Sequence, residues 1–326
     1  LGHEAALHAV QALEKVMSKL MRTIRAGALA LAAVTATPVI AQAAQPAAAA
    51  ATRAKSGHIE VNGVRYYYEV HGQGAPLLLL HGGLGSIDMF RPLLPTFTAN
   101  RQVIAVDLQG HGRTALGDRP FTLEGMGADM DALLAKLGYG KVDVVGYSMG
   151  GGVAFQLAAQ HPERVNRLVL VSTSYSTDGF HPEMRPMQAA LSGKMAESMK
   201  GTPMYDGYMA VAPRKQDFPK LLDTLGEFMR RDYDSSALIP RLTMPVMLVW
   251  GDADMFRPDH MVDFYKRLGG GLRDAGWQRE HMSKNRLAIL PGRTHYDVFL
   301  SPDLPRTTLA FLDGQDKGQD WTATAK

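Results

Sequence analysis

Gly146-Tyr147-Ser148-Met149-Gly150-Gly151 follows a short apolar run, Val142 to Val145, and leads into Val153 to Ala159, which carries the pattern of a helix. Strand, tight turn and helix in that order is the setting in which Gly-x-Ser-x-Gly forms a nucleophile elbow. Such an elbow strains the serine backbone and lifts its hydroxyl above the end of a sheet. Strand and helix nearly touch there, so the flanking positions must be small, and a bulky side chain at 146 or 150 would clash. Alone, the pentapeptide matches many ordinary turns; the flanking strand and helix give it meaning.

Outward from the elbow, apolar β-rich runs alternate with helical patterns. His58 to Val61 and Val64 to Val70 are joined by Asn62-Gly63, a two-residue hairpin signal, and the Tyr66-Tyr67-Tyr68 run reads as sheet packing. Further runs lie at Leu77 to Leu80, Gln102 to Val106, Arg167 to Val171, Val246 to Trp250 and Arg286 to Leu290. Near-continuous apolar strands are buried on both faces, which implies a parallel sheet between layers of helices. Helices are expected at Leu123 to Leu137, Gly150 to Gln160, Asp259 to Leu268 and Val298 to Leu312. The alternation breaks once, over 175–241, where prolines at 182, 186, 203, 213 and 219 punctuate short helical pieces such as Met187 to Met199 and Phe218 to Arg231. This stretch reads as a cap inserted over the sheet.

The 326 residues hold 35 Lys and Arg against 32 Asp and Glu, with no basic run dense enough for a nucleic-acid track. There is no cysteine, which removes disulfides, thiolate nucleophiles and cysteine metal sites. Near the start, Met21-Arg22-Thr23-Ile24-Arg25 is cationic, Ala26 to Ile40 is apolar, and Ala41-Gln42-Ala43 offers a small-x-small cleavage pattern. The apolar run falls short of the ~20 residues of a membrane span. Residues 21–43 are therefore expected to be a secretory signal peptide for the general secretory route, giving a periplasmic or extracellular protein with no stable membrane insertion after cleavage. Residues 1–20 have helical spacing but nothing useful should precede a signal peptide, so they are expected to be a non-native or mis-started leader, with Met21 the initiator. Residues 44–57 read as a flexible leader, 58–313 as the folded domain and 314–326 as a flexible tail.

A serine hydroxyl is a poor nucleophile, so the elbow predicts a base and an acid to orient it. His295, in Gly292-Arg293-Thr294-His295-Tyr296, follows the last strand and falls at the sheet end that carries Ser148. After the strand ending at Trp250 come Asp252 and Asp254, which compete for the acid role. Asp254 lies deeper into the loop and is favoured; Asp252 is expected to bind turn amides. Oxyanion donors are expected from the backbone N–H of Met149, at the start of a helix, and of Gly83, in His81-Gly82-Gly83-Leu84-Gly85. No Lys-Ser or Lys-Thr follows these glycines, so the loop is not a P-loop. His81 and His111, in Gly-rich turns, read as structural, and His260 and His281 as surface residues. No histidine has metal-ligand spacing, and neither a metal nor a cofactor is expected.

From His58 to about Leu312 the chain resembles the α/β-hydrolase superfamily, in its serine-nucleophile, esterase and haloperoxidase-like branch. The resemblance is carried by His81-Gly82-Gly83, the turn Asp107 to Arg113, the elbow Gly146 to Gly150, Gly251 to Asp254 with Pro258 four positions on, and Gly292 to His295. It implies an α/β fold of about eight mostly parallel strands flanked by helices, with a helical cap before the strand at 246–250. It also places the acid at Asp254. Thr114, where the family has serine, is expected to carry no catalytic consequence, and Gly269 to Lys284 is a longer excursion than usual.

The implied activity is hydrolysis of a small to medium carboxylic ester by Ser148, His295 and Asp254 through a covalent acyl-enzyme, with a small acyl substrate as partner. Perhydrolase, lactonase and carbon–carbon hydrolase chemistries use the same residues, whereas epoxide and haloalkane hydrolysis in this superfamily use Asp at the elbow. A ligand-binding receptor with slow turnover would also keep the three residues. The cap carries seven methionines, at 184, 187, 195, 199, 204, 209 and 229, for which helical core filling is the plainer reading and an adaptable acyl pocket the sharper one.

Overall fold

Strands β1 (Lys55–Val61) and β2 (Val64–His71) form the expected hairpin, with Val61 paired to Val64 across Asn62-Gly63. The computed structural model describes residues 55–315. The expected signal peptide, the segment before it and residues 316–326 of the tail lie outside the described residues. Because β1 begins at Lys55, the last three residues of the expected flexible leader belong to a strand.

The remaining strands are β3 (Ala75–Leu80), β4 (Arg101–Asp107), β5 (Val142–Tyr147), β6 (Val165–Val171), β7 (Val246–Ala253) and β8 (Arg286–Thr294). They form one eight-stranded sheet in the order β1-β2-β4-β3-β5-β6-β7-β8. The β1–β2 and β2–β4 pairs are antiparallel and the others parallel. Alternation along each buried strand sends side chains to two separate cores. Leu78, Leu80, Ile104, Val106 and Val144 face one, and Leu77, Leu79, Val103, Ala105 and Val145 the other. The first core is closed by helices α2 (Leu123–Lys136) and α3 (Met149–Gln160), and the second by α1 (Leu94–Thr98) and by the last helix of the described residues, Asp303–Leu312. Each fully buried Leu or Val contributes about 1.5–3 kcal/mol relative to exposure, so this double core fixes the sheet.

Over the inserted segment the chain forms α4 (Met184–Ala190), α5 (Pro203–Val211) and α6 (Phe218–Arg230) joined by short 3₁₀ turns, and then returns to the sheet through β7. The expected helix Met187 to Met199 stops early because Ser192 and Gly193 follow α4. Helix α5 was not expected, although Thr202 caps it by accepting from Tyr205 N at 3.3 Å and Pro203 opens it. After β7 come α7 (Pro258–Arg267) and, beyond β8, α8 (Asp303–Leu312). The expected helix Val298 to Leu312 is divided into a 3₁₀ turn at Val298–Leu300 and α8, because Pro302 holds Ser301 in extended backbone. β7 runs through an irregularity to Ala253, so Asp252 lies in a strand and not in a turn. In β8 only Leu290 is buried, as befits an edge strand carrying Arg286, Pro291 and Arg293.

Candidate active site

Parallel strands carry their loops to a common rim at their carboxyl ends, and β5, β7 and β8 deliver Ser148, Asp254 and His295 there. Ser148 follows β5 at φ 53°, ψ −119°, a strained conformation that turns the chain from strand straight into helix α3. The turn is possible because a Cβ at Gly146 would stand 2.3 Å from Gly150 O, and one at Gly150 would stand 2.4 Å from His81 O. The elbow is pinned to the next strand by Ser148 N, which donates to Val171 O at 2.9 Å.

Ser148 Oγ lies 3.0 Å from His295 Nε2, and His295 Nδ1 lies 3.0 Å from Asp254 Oδ1. A carboxylate can only accept, so Nδ1 carries the proton and Nε2 presents its lone pair to the serine hydroxyl. Asp254 and His295 are buried, while Ser148 is half-buried. Asp254 Oδ1 also accepts from Met255 N at 2.8 Å, and Oδ2 accepts from Ser172 Oγ at 2.5 Å. The competing carboxylate, Asp252, is exposed and accepts from Arg293 N at 3.2 Å, away from the imidazole.

The histidine loop is fixed from two sides. Tyr147 Oη donates to His295 O at 2.6 Å, and Asp297 Oδ1 accepts from Thr294 N and Oγ1 at 2.7 and 2.8 Å. The imidazole is flanked by Tyr147, 5.4 Å away between ring centroids, and by Phe256 at 5.8 Å. Burial, with the Asp254 charge next, holds the Tyr147 phenol well above its ordinary value, so it remains a donor.

Gly82 packs on the elbow, since a Cβ there would meet the Tyr147 ring at 2.7 Å and Ser148 Cβ at 3.2 Å. A Cβ at Gly83 would sit 4.0 Å from Met149 Cβ, so the two expected oxyanion residues are neighbours. Neither amide has an acceptor among the described residues. His81 holds this loop, with Nδ1 donating to Gly82 O at 2.7 Å and Nε2 accepting from Leu108 N at 3.0 Å. Burial lowers His81 to about 4 and His111 to about 3, the neighbouring His81 adding to the latter. Both are structural. Thr114 Oγ1 donates to Asp107 O and accepts from Tyr67 N.

Three residues depart from the sequence reading. His260 is not on the surface: it is buried, stacks on Tyr175 at 4.3 Å, and meets Ser174 Oγ at 2.8 Å. Its place on the buried 260, 261 and 264 stripe of α7 was the available signal. Tyr147 and Ser172 make contacts to which the sequence assigns no role; the first lies inside the elbow motif, while the second has no sequence signal because its partner is 82 positions away.

The profile of the family described as alpha/beta hydrolase fold matches residues 75–202. A pimeloyl-[acyl-carrier protein] methyl ester esterase from Neisseria meningitidis serogroup B is 30% identical over 218 residues, 59% of this chain and 80% of the esterase. A soluble epoxide hydrolase from Corynebacterium is 38% identical over 111 residues, 34% of this chain and only 39% of that enzyme. Among solved structures, a thermophilic esterase from Thermogutta terrifontis superposes with a TM-score of 0.59 at 21% identity, covering 80% of this chain and 98% of that one, a likeness of fold.

Proposed function

The chain belongs to the α/β-hydrolase superfamily, and from that premise we propose that it is a serine hydrolase cleaving a small to medium carboxylic ester. The observation that carries this reading is the unbroken contact from Ser148 through His295 to Asp254, with the imidazole in the tautomer that activates the serine. The methyl ester esterase relative, aligned over most of its length, supports an ester. The epoxide hydrolase likeness is confined to part of that enzyme, and epoxide opening in this superfamily uses Asp where this chain has Ser148.

In the proposed reaction His295 Nε2 takes the Ser148 proton as Oγ attacks the ester carbonyl. Asp254 accepts the hydrogen bond from Nδ1–H, which holds the tautomer, and offsets the charge of the imidazolium. The Gly83 and Met149 amides stabilise the oxyanion, which forms beside the positive end of α3. His295 then returns the proton to the leaving alcohol. Water, deprotonated by the same imidazole, releases the acid from Ser148.

A panel of nitrophenyl esters of increasing acyl length tests the reading. The wild type turns over continuously, and Ser148→Ala loses about 10⁴- to 10⁶-fold in kcat with an unchanged melting temperature. A burst without steady turnover would favour a receptor instead. The cationic start and apolar run of residues 21–43 support export by the general secretory route. A cell-associated protein that retains residue 21 would refute it.

A further inference from the structure

Ser172, the residue after β6, is fully buried and held at φ 48°, a conformation that glycine adopts freely and other residues adopt under strain. Its N–H donates to Val249 O at 2.8 Å and its hydroxyl to Asp254 Oδ2 at 2.5 Å. The preceding residue, Val171, accepts the Ser148 N–H. Two consecutive residues at the end of β6 thus hold the backbone of the nucleophile and the side chain of the acid.

The Asp254 carboxylate has one oxygen shared by Met255 N and His295 Nδ1. The Ser172 hydroxyl is the one donor to the other oxygen among the described residues. With both oxygens engaged the carboxylate cannot rotate about its Cβ–Cγ bond. Without the hydroxyl, a buried acceptor loses its partner and the group is free to swing, carrying the imidazole off line with Ser148. A turn that needed only left-handed backbone would be met by glycine.

We propose that Ser172 is a positioning residue whose hydroxyl locks the Asp254 carboxylate in the orientation that aligns His295 with Ser148. The proposal rests on the serine-hydrolase reading above.

Its test uses the full chain and a fluorophosphonate, which needs no knowledge of the natural substrate. Ser148 Oγ bonds to phosphorus, fluoride leaves, and the hydroxyl proton passes to His295. Labelling of the wild type and not of Ser148→Ala establishes the underlying reading. Ser172→Gly then removes the hydroxyl and relieves the backbone. Its labelling is expected to slow about 10- to 100-fold in the chemical step with little change in reagent affinity, and its melting temperature to stay above that of Ser172→Ala, which loses the same hydroxyl without relieving the backbone. A purely structural serine would leave the chemical step at the wild-type rate. Ser172→Ala keeps the strained backbone and should label equally slowly. Wild-type labelling by Ser172→Gly, with or without a slow Ser172→Ala, would overturn the positioning role alone. An unlabelled wild type would overturn it together with the serine-hydrolase reading.

Discussion

The rim that joins β5, β6, β7 and β8 and the cap that lies between β6 and β7 are built on opposite plans. In the rim, Tyr147, Ser172, Asp254 and His295 are all buried and each is tied to another by a hydrogen bond. In the cap, α4 and α5 bury no residue fully, and only α6 presents a buried stripe, Phe218, Leu221, Leu222 and Leu225. Methionine marks the same contrast. Met126, Met130, Met244, Met247 and Met261 are buried around the sheet, whereas all seven cap methionines are half-buried and none packs against either core. The plainer reading of the cap methionines, core filling, therefore fails. Flexible, polarisable side chains on a lightly anchored cap suit an adaptable apolar surface, while chemistry requires a fixed one.

If that division is sound, damage to the rim should abolish the reaction and damage to the cap should only retune it. The largest expected effect is Asp254→Asn, which lowers kcat by about 10⁴-fold, since a neutral amide neither offsets the imidazolium charge nor enforces the Nδ1–H tautomer; Asp252→Asn changes it less than about threefold. Equal losses in steady-state ester hydrolysis would erase the distinction between the two carboxylates. Next is acid sensitivity. His81 and His111 are held near 4 and 3 when folded against an ordinary 6.5, so the unfolded chain binds more protons between those values. Their stability is complete above pH 6.5 and is lost as pH falls below it, by about 1.4 kcal/mol per pH unit for each histidine. Urea unfolding midpoints that stay level from pH 6.5 to 5 would contradict this. Tyr147→Phe removes the bond to His295 O and should lower kcat roughly tenfold, with a stability loss of about 1 kcal/mol read from the same urea curves. Smallest is the cap. Met187→Ala with Met229→Ala should change KM for long acyl esters by about two- to threefold and leave acetate ester kcat unaltered. A collapse of acetate turnover would show that the cap belongs to the chemistry.

What the sequence made legible follows the same boundary. The elbow, the strand ends and the order Ser148, Asp254, His295 are local patterns tied to a sheet whose buried strands announce themselves by apolar runs. The β7 extension to Ala253 went unread because a strand continued past an irregularity has no apolar signature in Asp252. Ser172 and Tyr147 act through partners 82 and 148 positions away, and no spacing rule reaches that far. In the cap, short helices broken by Ser192, Gly193 and prolines blur any period, so α5 escaped despite its capping threonine.

Acyl-enzyme trapping tests the central claim most directly. Acid quenching of the protein within the first turnover of a nitrophenyl ester, followed by peptide mass mapping, should find one acyl group on the peptide containing Ser148 and none in Ser148→Ala. An acyl group on any other residue, or steady hydrolysis by Ser148→Ala at the wild-type rate, would contradict the account.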